Sequence, residues 1–157
     1  MRLGPEDEGR AAEVLLHPEV APFLFDEGWA WPNSEAIADT LSDPRKFFLM
    51  PRPGMLLLAR KLAHSIFEVH QAAIPEVRGP EVVRAGREAV RWLFENVPEC
   101  HKLVGLTPTW NIHAIASASR VGFLIEGRLH KAAAWRGQMC DVAVLGLTRE
   151  EALRWAE

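Results

Sequence analysis

The sequence predicts an α+β domain in which a mixed, mostly antiparallel sheet is flanked by helices. Three observations predict it. First, β-like runs at residues 46–50, 55–62 and 64–74 follow one another with short turns between them, which is the pattern of an antiparallel meander. Second, the last run passes through Arg78-Gly79-Pro80 into a helical run and then a further strand at 102–107. Such a strand–helix–strand unit runs parallel through a right-handed crossover. Third, the chain has 157 residues, of which 48% are hydrophobic and 25% charged. That is ordinary for a globular protein, long enough for one core and short for two, so a single domain over 1–157 is expected.

The elements follow in order. Residues 6–16 read as a helix with Ala11, Ala12, Val14, Leu15 and Leu16 as its apolar face, broken by His17-Pro18. Residues 19–24 form a short second helix, and 26–33, with Gly28, Pro32, Trp29 and Trp31, read as a loop with aromatic anchors. Ser34 is an N-cap candidate for a helix over 35–41, stopped by Asp43-Pro44. After the first strand, Pro51-Arg52-Pro53-Gly54 reads as a turn. Strand 64–74 alternates, placing Ile66, Glu68, His70, Ala72 and Ile74 on one face and Phe67, Val69, Gln71 and Ala73 on the other.

Pro80 suits a first helical turn, where its missing N–H costs nothing. Val82, Val83, Gly86, Ala89, Val90, Leu93, Phe94 and Val97 recur at helical spacing until Pro98. A helix from Asn111 to about Val121 closes at Gly122-Phe123. Residues 123–135 and 139–147 read as two strands joined around Arg136-Gly137, and 149–157 as a short helix.

Composition excludes several classes. The formal net charge of −3 comes with no basic stripe of the kind that marks nucleic-acid binding. No apolar run reaches membrane-span length. The opening Met1-Arg2-Leu3-Gly4-Pro5-Glu6-Asp7-Glu8 is acidic and lacks a signal-peptide apolar core. Cys100 and Cys140 lie far apart and form no metal-type pair, and His17, His101, His113 and His130 show no ligand spacing. A cytoplasmic protein with reduced thiols and no metal is expected.

The feature richest in chemistry is Ile74-Pro75-Glu76-Val77-Arg78-Gly79, set between a strand and a helix. A strand that ends in an Arg-Gly turn at a helix N-terminus presents free backbone N–H groups and the positive end of the helix dipole. That is a site for a phosphate or pyrophosphate.

This stretch resembles the acetyl-CoA pyrophosphate loop of the GNAT-superfamily N-acetyltransferases, in particular the branch that acetylates protein N-termini, including those of ribosomal proteins. Asn111, Ala114 and Gly122-Phe123 resemble that family's late helix. Glu126-Gly127, Gly137 and Asp141 resemble its closing hairpin. The resemblance covers roughly residues 46–147. It implies a GNAT-like sheet whose central strands splay apart to admit the pantetheine arm of acetyl-CoA. It further implies that Ile74 supplies backbone contact to pantetheine, that Arg78 and Gly79 belong to the pyrophosphate loop, and that Asn111 faces the cofactor. The chain departs from the family loop pattern at Glu76, Pro80 and Glu81, where a polar or basic residue, an amide donor and a small residue are usual.

Acetyl transfer to an amine needs a neutral nucleophile, a path for its proton and a donor for the thiolate. Glu68, at the place where some family members carry a catalytic glutamate, is the first candidate base, set against an ion-paired or edge-exposed role. His70, on the same face, is the second, set against a structural hydrogen-bonding role. The family's usual acid is a tyrosine on the late helix. Here Ala118 holds that place and the chain has no tyrosine. Ser117 and Ser119 are near enough to donate instead, although helix-interior serines commonly bond their own backbone. Cys140 reads as a buried hydrophobe. Trp29 and Trp31 are candidate substrate-binding residues in the loop where the family places its acceptor, and Trp110 and Trp135 are further candidates for the mouth of the site; ordinary core anchoring is the other reading of all four.

Two functions of different class follow. One is an acetyl-CoA-dependent N-acetyltransferase acting directly on an amine, either a protein N-terminus or a small molecule. The other is a GNAT-shaped interaction or structural module that has lost CoA binding, suggested by Pro80, Glu81 and the missing tyrosine. A CoA-binding regulator without turnover is a third. Oligomeric state stays open, with edge pairing of sheets into a homodimer as one option.

Overall fold

A computed structural model of the chain describes residues 1–24 and 33–156. Helix α1 (Glu8–Leu15) follows a 3-10 turn at Pro5–Asp7, and α2 (Ala21–Leu24) and α3 (Ser34–Leu41) complete the N-terminal helices. The cap of α3 is Asn33 rather than Ser34: Asn33 Oδ1 accepts from the Ala36 amide at 2.9 Å, and Ser34 becomes the first helical residue. Asparagine and serine cap about equally well, so spacing to the first free amide decides between them.

Strands β1 (Lys46–Arg52), β2 (Met55–Lys61) and β3 (Ile66–Ala73) form the expected meander. Pro51 falls inside β1 instead of the turn. It is tolerated because β1 is an edge strand and the ladder bulges between Leu49 and Arg52. Gly54, at φ 77°, makes the turn.

Helix α4 (Pro80–Asn96) carries the chain to β4 (Lys102–Pro108), which lies parallel to β3. Then come α5 (Ile112–Val121), β5 (Leu124–Trp135), β6 (Gln138–Thr148) and α6 (Arg149–Leu153). The sheet order is β1-β2-β3-β4-β6-β5, with β3–β4 its parallel pair. The β5–β6 hairpin turns at Arg136 and Gly137, both at positive φ (50° and 74°), as a two-residue loop matched to strand twist requires. No described helix is long and apolar enough to cross a membrane.

Helices cover both faces of the sheet. Leu57, Phe67, Leu103, Leu145 and Leu147 pack against the apolar stripe of α4, which includes Ala89, Val90, Leu93 and Phe94. On the opposite face, Phe48, Leu56, Leu58 and Ala72 pack against Ala11, Val14, Leu15, Ile37 and Leu41 of α1 and α3. The alternation read from β3 holds: Phe67 and Val69 face the α4 layer, and Ala72 and Ile74 face the α1–α3 layer. The Arg149 side chain closes the far end of α4, donating to the Val97, Pro98 and Cys100 carbonyls at 2.7–3.1 Å. Thr148 and Glu151 form a reciprocal capping box that starts α6.

Helix α4 approaches the sheet closely at Gly86. A Cβ there would stand 2.9 Å from Val121 Cγ2 and 3.2 Å from Gln71 Oε1. Gly86→Ala is expected to destabilise the fold by about 1–2 kcal/mol, because overpacking costs more than the helix propensity gained. Thermal unfolding measures it, and an unchanged or raised Tm would show that the contact yields.

Candidate active site

The central strands pair and then part. The β3–β4 ladder runs only from Ile66↔Lys102 to Glu68↔Val104. Beyond that point β3 stays with β2 as far as Ala73, and β4 stays with β6 as far as Pro108. Between them opens a cavity of about 1520 Å³, bordered by His70 and Gln71 from β3, Thr107 from β4, Asn111 and Ser117 from α5, and Trp135 from β5. Pockets for a single drug-sized ligand span roughly 300–1,000 Å³, so this larger space has room for two reactants.

The β3 edge facing the cavity differs from the expectation for Ile74. The Ile74 amide donates to the Gly54 carbonyl at 3.0 Å, and the Ile74 carbonyl accepts from Val77 at 3.2 Å. Both of its main-chain groups are therefore engaged outside the cavity. With a period of two, Val69, Gln71 and Ala73 direct their main-chain groups to the opposite, cleft-facing edge. The Ala73 carbonyl accepts from Arg78, so the Gln71 main chain and the Ala73 amide are the groups on that edge open to an extended ligand. Alternation along the sequence fixes the faces of a strand, whereas its edges depend on which neighbour pairs with it.

At the end of β3 the chain turns through a 3-10 segment, Pro75–Val77, to Gly79. Gly79 has φ 123° and ψ −156°, and a Cβ built on it meets nothing within 4 Å. The corner is therefore open, and its backbone is one that side-chain-bearing residues avoid. The Gly79 amide donates to no described protein group. Pro80 has no amide, the Glu81 amide lies in the first helical turn where intrahelical partners are lacking, and the Val82 amide bonds back to Gly79 at 3.1 Å.

Arg78 is used differently from the expectation. Its amide donates to Pro75, and its guanidinium donates to the Ala73 carbonyl at 3.3 Å and the Glu19 carbonyl at 3.1 Å. It straps the chain before α2 to the corner and leaves its charge beside it. The Glu81 carboxylate turns along α4 to Arg84 at 3.1 Å and is 60% exposed, so it faces solvent instead of the corner.

Glu68 and His70 come together on the α1–α3 face of β3. Glu68 is 4% exposed, and it accepts from Arg60 at 2.6 and 2.5 Å and from His70 Nε2 at 3.2 Å. The hydrogen bond from His70, then the His70 charge and the Arg60 guanidinium, outweigh burial and hold the Glu68 carboxyl at about 2, against an ordinary 4.5. A carboxylate held so low is a poor proton acceptor near neutrality. Glu68 is thus held between the Arg60 guanidinium and the His70 ring.

That depression has a sign for stability. The contribution is complete above pH 4.5 and is lost as pH falls towards 2. Tm of the unaltered protein should fall more steeply with acidification through that window than Tm of Glu68→Gln. Parallel curves would show that the pairing carries no net stability.

On α5, Asn111 Oδ1 caps the helix by accepting from the Ala114 amide at 3.2 Å, and Asn111 also borders the cavity. Ser117 is half-buried on the cavity wall beside Ala118. Ser119 is exposed and lies off the wall, so Ser117 is the serine within reach of the cleft. Trp29 and Trp31 lie outside the described residues. Trp110 and Trp135 stack at 4.0 Å between centroids, with Phe23 of α2 tilted against them at 5.9 and 5.8 Å. Phe23 carried no periodic or motif signal in the sequence. Cys100 is buried, and burial pushes its thiol up to about 12. The Cys140 thiol donates to the Ala133 carbonyl at 3.2 Å. Among the described residues no cluster could hold a metal ion.

No protein-family model matches this chain, and no curated protein sequence matches it. Solved structures do. A spermidine N-acetyltransferase from Vibrio cholerae, in complex with CoA and spermine, superposes with a TM-score of 0.80 at 16% identity, covering 98% of this chain and 96% of that one. A ribosomal-protein-S5-alanine acetyltransferase from Vibrio fischeri superposes with a TM-score of 0.77 at 14% identity, covering 96% and 92%. With its sheet order, its splayed central strands and these near full-length superpositions, the chain has the fold of the GNAT acetyltransferases.

Proposed function

We propose that the protein is an acetyl-CoA-dependent N-acetyltransferase that passes an acetyl group directly to an amine. The observation that carries this reading is the parting of β3 from β4 after Glu68↔Val104, in a cleft that ends at the open Gly79 corner. The residues present fit a CoA diphosphate. Gly79 and Glu81 present amides at a helix N-terminus, Arg78 adds charge, and among the described residues nothing beyond its two chain neighbours comes within 4 Å of a Cβ built on Gly79. Gln71 and Ala73 would pair with the pantetheine arm. Acetyl-CoA supplies an activated thioester.

His70 takes the proton from the attacking amine, oriented by Glu68 with Arg60 behind it. Ser117 stands on the cavity wall where its hydroxyl can donate a hydrogen bond to the leaving thiolate, which takes its proton from solvent. Holding both reactants in one cavity accounts for direct transfer without a covalent enzyme intermediate.

A module without CoA binding would be favoured by Glu81 pointing into the corner. It turns instead towards Arg84 and solvent, which removes that argument for the module and leaves the enzyme reading standing. Isothermal titration with CoA tests the reading. Saturable binding that weakens with salt is expected, and an absence of heat and of thermal shift at millimolar CoA overturns it.

A further inference from the structure

The aromatic cluster and the charges of the cleft bear on the acceptor. Phe23, Trp110 and Trp135 border the same cavity as His70 and come from three separate parts of the chain. Trp135 stands beside the hairpin turn, Trp110 precedes α5, and the Arg78 strap to Glu19 holds the approach to α2. Trp110 Nε1 is buried without a hydrogen-bond partner among the described residues. An unsatisfied donor marks a cluster that is not optimised for stability alone.

Among the described residues the cluster does not form an open cation cage. Trp110 and Trp135 cover one face of each other, and the Arg136 guanidinium lies 5.6 Å from the Trp135 ring. Among the described residues, the cavity wall carries the cations Lys46, Arg60, Arg78 and Arg120 against the carboxylates of Glu19 and Glu68. Glu68 is already committed to Arg60 and His70. Arg60 is equally committed to Glu68 and Lys46 to Asp43, so among the described residues the wall offers one further carboxylate, Glu19, to hold a second cationic centre, and an apolar surface next to His70.

We propose that the acceptor is a monoamine carried on an apolar, aromatic-sized body with no second cationic centre, seated against Phe23, Trp110 and Trp135. This rests on the transferase reading above. The chemistry is shared by free arylalkylamines and by peptides that begin with an aromatic residue. Attack by the neutral amine nitrogen forms the amide bond and breaks the thioester carbon–sulfur bond. The amine proton passes to His70 and on to solvent, and the CoA thiolate leaves and takes up a proton from solvent.

The test uses the full chain with acetyl-CoA and three acceptors: phenylethylamine, a peptide with an N-terminal phenylalanine, and spermidine. Thiol release and product mass are followed. At least one aromatic acceptor is expected to show a kcat/KM at least about tenfold above spermidine, a difference of about 1.4 kcal/mol, and the two aromatic arms tell a free amine from a peptide. Phe23→Leu and Trp135→Leu should each raise KM for that acceptor severalfold, with CoA affinity by calorimetry confirming that the variants are folded. Spermidine preferred or equal overturns this inference and leaves the transferase intact. CoA bound with no amine acetylated also overturns it, and failure to bind CoA overturns the transferase reading itself.

Discussion

His70→Ala is expected to lower kcat by about 10²–10⁴-fold, the range that a positioned base contributes. KM for acetyl-CoA should hold, because His70 sits on the α1–α3 face of β3, away from the Gly79 corner. Glu68→Gln separates orientation from proton transfer. It keeps the size of the side chain but removes the negative charge facing Arg60 and His70. A smaller rate loss than in His70→Ala, with a shifted pH profile, is expected if Glu68 acts through the imidazole. A loss in Glu68→Gln as large as in His70→Ala, at unchanged Tm and pH profile, would return the base role to the carboxylate. Steady-state kinetics across pH decide between them.

Gly79→Val is expected to remove most CoA affinity. The Gly79 backbone at φ 123° is glycine territory, so any side chain costs about 1–3 kcal/mol of stability. The added atoms would also project into the space that is now clear within 4 Å. Losing one charge-assisted amide–phosphate contact is worth about 1.5–3 kcal/mol, roughly a 10–150-fold rise in Kd. Calorimetry against CoA measures it, with Tm as a control for folding. By contrast, Glu81→Ala should leave affinity within about threefold, since its carboxylate already pairs with Arg84 in solvent. A large gain of affinity in Glu81→Ala would instead mean that the carboxylate visits the corner.

Much of this architecture was legible in the sequence because it depends on local periodicity. The alternation of residues 64–74 assigned the faces of β3 correctly, because a strand's side chains must alternate. Pro80 and the stripe from Val82 to Phe94 marked α4, whose apolar face had to be buried. The Arg78-Gly79 corner was legible as a strand-to-helix turn. Its openness was not, since the emptiness around Gly79 depends on what other segments leave unfilled. Ser34 against Asn33, and Pro51 in the turn against Pro51 in an edge bulge, were decided by where the neighbouring ladder and first free amide fell.

The sequence by itself determined the order of strands and helices, the buried faces, and the placing of an Arg-Gly turn at the head of the longest helix. These follow from spacing along one chain. Tertiary structure alone decided that Glu68 is clamped by Arg60 and His70, that Ile74 turns its amide to Gly54, and that Phe23 meets Trp110 and Trp135. Each is a contact across a strand edge or between distant segments, where distance and solvent exclusion set the chemistry and linear spacing carries no record of either.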